Sequence, residues 1–361
     1  MMGMPNGSRW TSTLQALLAA FFFGLSAPLS KLLLGNINPL ILAGLLYIGS
    51  GLGTFLFRSI QRIFLPTKQR EAGLSRPDWK WLAGAVLLGG IAAPIVLLFS
   101  LRATPAATAS LLLNFEGVAT TLIAFLLFKE SIGLRVGWAV GLILLASILL
   151  SWSPGTGWGF TLGTLGIVAA CVFWGFDNNF TRQISAKDPL QIVTIKGLVA
   201  GSVSLLLGLI TGNPLPQLPY LLSGLFLGAI SYGMSIVLFV YAMRGLGAAR
   251  TSTLFGLAPF VGAGLSLVIF RENISWFFLA SIPFMAVGAW LLVGERHDHF
   301  HRHAAIEHEH RHTHTDGHHD HVHAEPLSDP RISHSHLHTH PALEHTHPHT
   351  PDIHHRHSHP K

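Results

Sequence analysis

Residues 102–132 read RATPAATASLLLNFEGVATTLIAFLLFKESI, residues 244–274 read RGLGAARTSTLFGLAPFVGAGLSLVIFRENI, and the two align without a gap at an offset of 142. The alignment sets Arg102 over Arg244, Ala106-Ala107 over Ala248-Ala249, Ser110 over Ser252, Phe128 over Phe270 and Glu130 over Glu272. A weaker match at an offset near 150 sets Phe23-Gly24 over Trp174-Gly175 and Asn38-Pro39 over Asp188-Pro189. Each quoted stretch holds one apolar run of the length a bilayer demands, about 20 residues, because lipid offers a backbone no hydrogen-bond partner and a spanning helix must satisfy its own. The duplicated unit is thus a set of membrane-crossing helices.

Working outward, ten such runs lie near 12–34, 38–57, 79–101, 105–128, 134–152, 160–183, 189–211, 217–242, 248–270 and 275–294. The breaks are shortest at Leu101-Arg102-Ala103-Thr104-Pro105 and at Arg244-Gly245-Leu246-Gly247. The first run has no small-residue cleavage site and leads straight into further runs, so it reads as a retained helix and not a signal peptide. The expected architecture is all-α and polytopic, with five helices in residues 1–152 and five in 153–294. Five is odd, so the second copy enters the membrane from the opposite side. Inverted repeats suit alternating access around a binding site near the midplane.

Orientation follows from Lys and Arg, which stay on the cytoplasmic side. With the N-terminus inside, 13 fall on that side (Arg9, six between Arg58 and Lys80, Lys129, Arg135, Arg182, Lys187, Arg244 and Arg250), while only Lys31, Arg102 and Arg271 fall outside. Both termini are therefore expected in the cytoplasm.

Composition agrees with a membrane body and separates it from a tail. Half of the 361 residues are hydrophobic and 11% charged, and the mean hydropathy of +0.47 excludes an ordinary soluble domain. All 23 histidines lie between His297 and His359, so residues 295–361 are a different physical object from the histidine-free body. The body carries a net charge of +10 and the tail −4, giving the overall +6. The cations sit in short gaps between apolar runs and form no stripe, which argues against a nucleic-acid partner. The single Cys171 can form neither an intramolecular disulfide nor a thiolate metal site, and reads as packing.

The five-plus-five arrangement, the small-residue runs ending in Phe128-Lys129-Glu130 and Phe270-Arg271-Glu272, and Ala258-Pro259-Phe260 resemble EamA-type transporters of the drug/metabolite transporter superfamily. The resemblance covers residues 10–294. It implies a polytopic inner-membrane carrier of small solutes, often an exporter. One departure stands out: Glu116-Gly117 occupies the place of Ala258-Pro259, putting a carboxylate where the general pattern is apolar. The run Trp174-Gly175-Phe176-Asp177-Asn178-Asn179, followed by Lys196-Gly197, is also more polar than the pattern, which points to a subgroup whose substrate cannot be borrowed from better-known relatives.

Ionisable groups in hydrocarbon are costly unless paired or hydrated, so each marks a candidate site. Glu116 sits mid-run beside Asn114, and serves either transport or a local bond to backbone. Asp177, with Asn178, and Lys196 stand at comparable distances from one short cytoplasmic turn, where an ion pair either serves coupling or fixes helix packing. Trp174 lies beside the polar run and faces substrate or packs. Lys31 and Lys187, nearer the ends, are expected to reach the headgroups. Trp79, Trp81, Trp152, Trp158 and Trp276 lie at run ends, where indole suits the interface.

The tail is too polar to bury a core and is expected to be disordered. His297, His299, His301 and His303, then His308, His310, His312 and His314, then His334, His336, His338 and His340 alternate with other residues. In an extended chain, alternate residues share a side, so neighbouring imidazoles can chelate Zn²⁺, Ni²⁺, Co²⁺ or Cu²⁺. Metal storage or sensing, pH sensing and an inert tail are the readings of its use. No cofactor is required. The function expected is secondary active transport of a small metabolite or drug-like solute, by alternating access, as export with proton coupling. Divalent-metal transport with the tail as collector is the alternative; against it, the body lacks the histidines and paired carboxylates that a dehydrated divalent ion needs. An intramembrane enzyme is disfavoured because no body histidine can act as base.

Overall fold

In a computed structural model of the chain, the structure describes residues 6–64, 72–129, 133–152, 161–185, 187–246 and 248–293, and in the tail 297–303, 306–312, 334–340 and 343–349. The body is all-helical. It runs α1 (Asn6–Gly24), α2 (Ser26–Leu33), α3 (Pro39–Phe64), α4 (Trp79–Ala85), α5 (Ala93–Ala103), α6 (Ala106–Leu112), α7 (Phe115–Phe128), α8 (Leu134–Ser151) and α9 (Leu162–Gln183). The chain continues with α10 (Pro189–Ile210), α11 (Leu218–Gly228), α12 (Ser235–Leu246), α13 (Ala248–Phe255), α14 (Ala258–Phe270) and α15 (Trp276–Val293). Helix starts are written in the sequence: Pro39, Pro189 and Pro219 sit at first-turn positions whose N–H has no helical acceptor anyway. The Asp188 carboxylate accepts from the N–H of Leu190 at 2.9 Å and Gln191 at 3.2 Å, and Asn38 Oδ1 does the same for Leu40 at 2.9 Å.

Seven helical segments among the described residues are long and apolar enough to cross a membrane: Trp10–Leu33, Pro39–Gln61, Arg76–Ala103, Ala106–Phe128, Leu134–Ser151, Pro189–Ile210 and Leu218–Met243. Ala258–Phe270 and Trp276–Leu292 are shorter apolar helices. Three of the ten expected runs are not among these seven. The run Asp177-Asn178-Asn179 makes α9 more polar, and among the described residues the last two runs contribute the shorter α14 (Ala258–Phe270) and α15 (Trp276–Val293).

Several runs expected to be continuous are interrupted, and four of the interruptions are paired by the repeat. Residues Val86–Ala92 between α4 and α5, and Ala229–Met234 between α11 and α12, form π-helical turns. Between α6 and α7 the chain kinks at Leu113-Asn114, where Glu116 N–H bonds to Leu113 O (3.1 Å) and Gly117 N–H to Asn114 O (3.2 Å). Between α13 and α14 it kinks at Gly256-Leu257, with Phe260 N–H on Leu257 O at 3.0 Å. A separate kink at Leu25 divides α1 from α2.

Packing follows the same symmetry. α3 lies along α10 and α8 along α15, while α1 packs on α12 and α14 as α9 packs on α5 and α7. Exchanging α1 with α9, α5 with α12 and α7 with α14 maps one set of contacts onto the other. Apolar burial gains little between helices already in lipid, so close backbone approach must hold them. Gly51 and Gly197 show how: a Cβ on Gly51 would stand 2.7 Å from Leu198 N, and one on Gly197 would stand 2.7 Å from Gly51 Cα. Leu126, Val268, Trp276 and Trp290 remain more than half exposed, as a lipid-facing surface requires.

In the tail, β1 (His297–His303) pairs antiparallel with β4 (Leu343–His349), and β2 (Ile306–His312) pairs with β3 (His334–His340), as two separate two-stranded sheets. Composition alone points to disorder. The alternation of histidine with other residues has the period of a strand, and the described tail segments are extended.

Candidate substrate site

A cavity of about 220 Å³ lies where the two kinks meet. Its lining includes Leu113, Asn114, Glu116 and Gly117 from the α6–α7 kink, and Ser252, Phe255, Gly256, Ala258 and Pro259 from the equivalent place in the second half. The offset of 142 sets Asn114 on Gly256 and Glu116 on Ala258, so the cavity sits on the pseudo-twofold. Phe23 and Phe239 close its sides, with Ile143, Ala289 and Leu292 from α8 and α15. Ring contacts join Phe23 to Phe255 (5.2 Å), Phe255 to Phe239 (4.9 Å) and Phe23 to Tyr232 (5.9 Å), making an aromatic wall. Glu116 is the one ionisable residue in this lining.

Glu116 sits in the first turn of α7, where unpaired N–H groups favour negative charge. Asn178 Nδ2 donates to Glu116 Oε1 at 2.8 Å and to Thr120 Oγ1 at 3.1 Å, tying α9 to α7. The close helix approach that permits this is made by Gly175, whose Cβ would stand 2.9 Å from Thr120 N. One amide partner leaves the carboxylate with accepting capacity turned to the cavity. Glu116 takes part in none of the ion pairs found among the described residues, which join Arg58 to Asp188, Lys187 to Asp78 and Lys196 to Asp177.

The second polar group lies behind the first. Lys196 Nζ on α10 donates to Asp177 Oδ2 on α9, and Thr181 Oγ1 donates to Asp177 Oδ1 at 3.1 Å. The pair faces the π-helical turn of Val86–Ala92, because a Cβ on Gly89 would lie 2.0 Å from Asp177 Oδ2. That turn also displaces a carbonyl from the helical ladder: Gly89 O accepts from Tyr47 OH at 2.7 Å and from Trp174 Nε1 at 3.0 Å. Such turns recur at functional sites because they free backbone groups inside a helix. Trp174 is buried and bonded here, and it is absent from the cavity lining.

A third cluster clamps the α5–α6 junction. Lys31, expected to reach headgroups, turns inward instead: its Nζ donates to Leu101 O at 3.0 Å and to Thr104 O. Glu272, across the repeat, accepts from Ala106 N at 2.5 Å and Ala107 N at 2.9 Å with its two carboxylate oxygens. The junction leaves these carbonyls and N–H groups without helical partners, and two buried-side charges satisfy them. Cys171 is buried in the core, as packing requires.

The structure therefore joins Glu116 to Asn178 and Asp177 to Lys196, and places Asn114 beside Glu116 in the cavity wall. It adds Tyr47, Gly89, Phe23, Phe239, Phe255, Ser252, Lys31 and Glu272. Asn114 and Gly117 aligned with Gly256 and Pro259, residue types that interrupt helices, were the available sequence signal for the kinks; the aromatic wall had none. In the tail, His297, His299, His301 and His303 lie on β1, His308, His310 and His312 on β2, and His334, His336, His338 and His340 on β3. His314 lies outside the described residues.

Comparison with known proteins adds to this geometry. The model of the EamA-like transporter family matches residues 10–152 and again 161–294. A protein of Methanothermobacter thermautotrophicus called an uncharacterized transporter is 30% identical over 294 residues, covering 76% of this chain and 85% of that one. The uncharacterized inner membrane transporter YedA of Escherichia coli K12 is 24% identical over 265 residues, covering 69% and 80%. A crystal structure of a protein superposes at a TM-score of 0.56 with 21% identity, covering 78% of this chain and 94% of that chain, a likeness of fold.

Proposed function

Because the chain belongs to the EamA-like transporter family, and is thereby a multi-pass membrane transporter, we propose that it is a secondary active carrier of a small metabolite or drug-like solute. It works by alternating access, as an exporter, and Glu116 couples the cycle to protons. The observation that carries this reading is the cavity on the pseudo-twofold, formed at two symmetry-related helix kinks and lined by one ionisable residue. Interrupted helices at matching places in inverted halves are where such carriers bind their cargo, since only there does backbone polarity meet an internal cavity. An internal carboxyl with a single amide donor can load and release a proton as access alternates.

The same proposal places ten crossings in the membrane, as five-helix halves over 1–152 and 153–294, with both termini and the tail 295–361 in the cytoplasm. The plasma (inner) membrane is its location, which the name of the Escherichia coli relative supports. The Lys31 and Glu272 clamp then lies at the outer face. It joins the two halves there, so it is the contact that must part when the site opens outward.

Among the described residues, no group of three or more His, Cys, Asp or Glu side chains is placed to hold a metal ion. The body thus lends no support to a dehydrated divalent ion as cargo. Proteoliposomes test the reading. Substrates found by comparing cells with and without the gene are followed with and without an imposed pH gradient. Glu116→Gln should keep counterflow exchange and lose gradient-driven accumulation; an unchanged gradient response rules out the proton role.

A further inference from the structure

We propose that the cavity between the two kinks takes a small organic monocation, an amine carried on an apolar body the size of one aromatic ring, with its ammonium on Glu116. The inference rests on the carrier reading of that cavity, in which Glu116 also loads the proton, and it names the cargo. Charge comes first. Among the described residues the lining holds one carboxylate and no Lys, Arg or His, so a bound solute meets a negative charge that no side chain in the wall offsets. Lys196 and Asp177 both act on Glu116 from behind, with opposite signs, and Lys196 Nζ is already committed to the Asp177 carboxylate. Asn114 and Ser252, the other polar side chains of the wall, are neutral. Asn178 donates one bond to Glu116 Oε1, whereas a carboxylate has about four acceptor sites, so most of its capacity is left for the N–H donors of an ammonium. A carboxylate held in a low-dielectric interior is costly until a cation joins it.

The aromatic wall suits the body of such a solute. Phe23, Phe239 and Phe255 form a set of inclined rings, with Phe255 lying 47° from Phe23 and 63° from Phe239. Ring faces attract an ammonium, and inclined rings pack against an aromatic guest. Volume bounds the cargo: an apolar cavity of about 150 Å³ takes one benzene, so about 220 Å³ takes one ring with a short amine-bearing chain. A solute with a carboxylate of its own, such as an amino acid, fits less well. The repeat sets the start of α14 where α7 carries Glu116, but Pro259 has no N–H to give there, and the N–H groups of Phe260 and Val261 are bonded to Leu257 O at 3.0 Å each. A solute carboxylate would therefore find neither a side-chain cation nor a row of free N–H groups, beside an anion already in place.

The test uses the full chain in lipid nanodiscs with radiolabelled phenethylamine as the probe, binding to empty nanodiscs being subtracted. Unlabelled phenethylamine should displace it, while phenylethanol, phenylpropionate and phenylalanine, which share the ring and differ in charge, should do so at least about tenfold less well. No saturable binding of the probe, or displacement by any of the other three as good as by the amine, overturns the assignment, and this ranking needs no variant. Glu116→Gln should weaken probe binding by about 30-fold or more, the loss expected when a buried charge pair loses one partner; an unchanged affinity overturns the proposal. Proteoliposomes separate it from the carrier reading. Phenethylamine that binds through Glu116 but never crosses the membrane sinks the carrier reading and keeps the cation site, whereas gradient-driven movement of an anion or zwitterion that needs Glu116 keeps the carrier and overturns the monocation.

Discussion

Separating Asp177 from Lys196 should cost stability in a way that two single substitutions and their combination can apportion. The Asp177 side chain is 5% exposed and that of Lys196 19%. Removing one partner of a buried pair strands the other at a cost of about 3–5 kcal/mol. Lys196→Met leaves the more buried charge behind, with Thr181 as its remaining donor, so its loss should fall at the upper end of that range. Asp177→Asn leaves an ammonium on a flexible four-carbon stem that can reach toward solvent, so its loss should be about 2–3 kcal/mol. The double variant buries no unpaired charge, and the two losses should fall short of additivity by about 2 kcal/mol. Unfolding of each variant in mixed micelles, by stepwise addition of sodium dodecyl sulfate and followed by circular dichroism, yields the cycle. Losses that add to within about 0.5 kcal/mol would show that the two charges do not depend on each other, and the pairing argument would fail.

Other consequences follow from single contacts. Gly89→Ala should destabilise the protein by more than Gly90→Ala, because its Cβ would lie 2.0 Å from Asp177 Oδ2 within a helix-bound cluster, whereas Gly90 meets an alanine methyl at 2.6 Å; thermal unfolding in detergent measures both. Glu272→Gln keeps the shape but weakens the charge-assisted bonds to Ala106 and Ala107. A cysteine at Ser252 should then react faster with an impermeant thiol reagent added outside, and an unchanged rate refutes the clamp. Metal affinity of the tail should fall as pH drops through about 6.5, since a protonated imidazole has no lone pair to give; dialysis at pH 7.5 and 5.5 reads it. A reporter active only outside the cytoplasm should be silent when fused after Val293 and active when inserted at Thr211-Gly212.

Residue order by itself determined the membrane body, the duplication and the family, because these depend on run length, apolar content and a self-match that survive in one dimension. It also singled out Glu116, Asp177 and Lys196, since a charge inside an apolar run is conspicuous without coordinates. Partners were another matter. Asn178 meets Glu116 across 62 positions, Glu272 reaches Ala106 across 166, and Tyr47 finds Gly89 across 42. Those distances are set by how helices cross, and the crossings depend on glycines whose significance appears only when a neighbouring backbone lies against them. The cavity arose the same way: Phe23, Phe239 and Phe255 are unremarkable apolar residues along the chain, and only the packing of α1, α12 and α13 brings their rings together. Lys31 shows the limit most directly. Its position near a helix end predicts a headgroup contact, yet the α5–α6 junction leaves two carbonyls without helical donors within its reach, and satisfying buried backbone outweighs hydration of the ammonium.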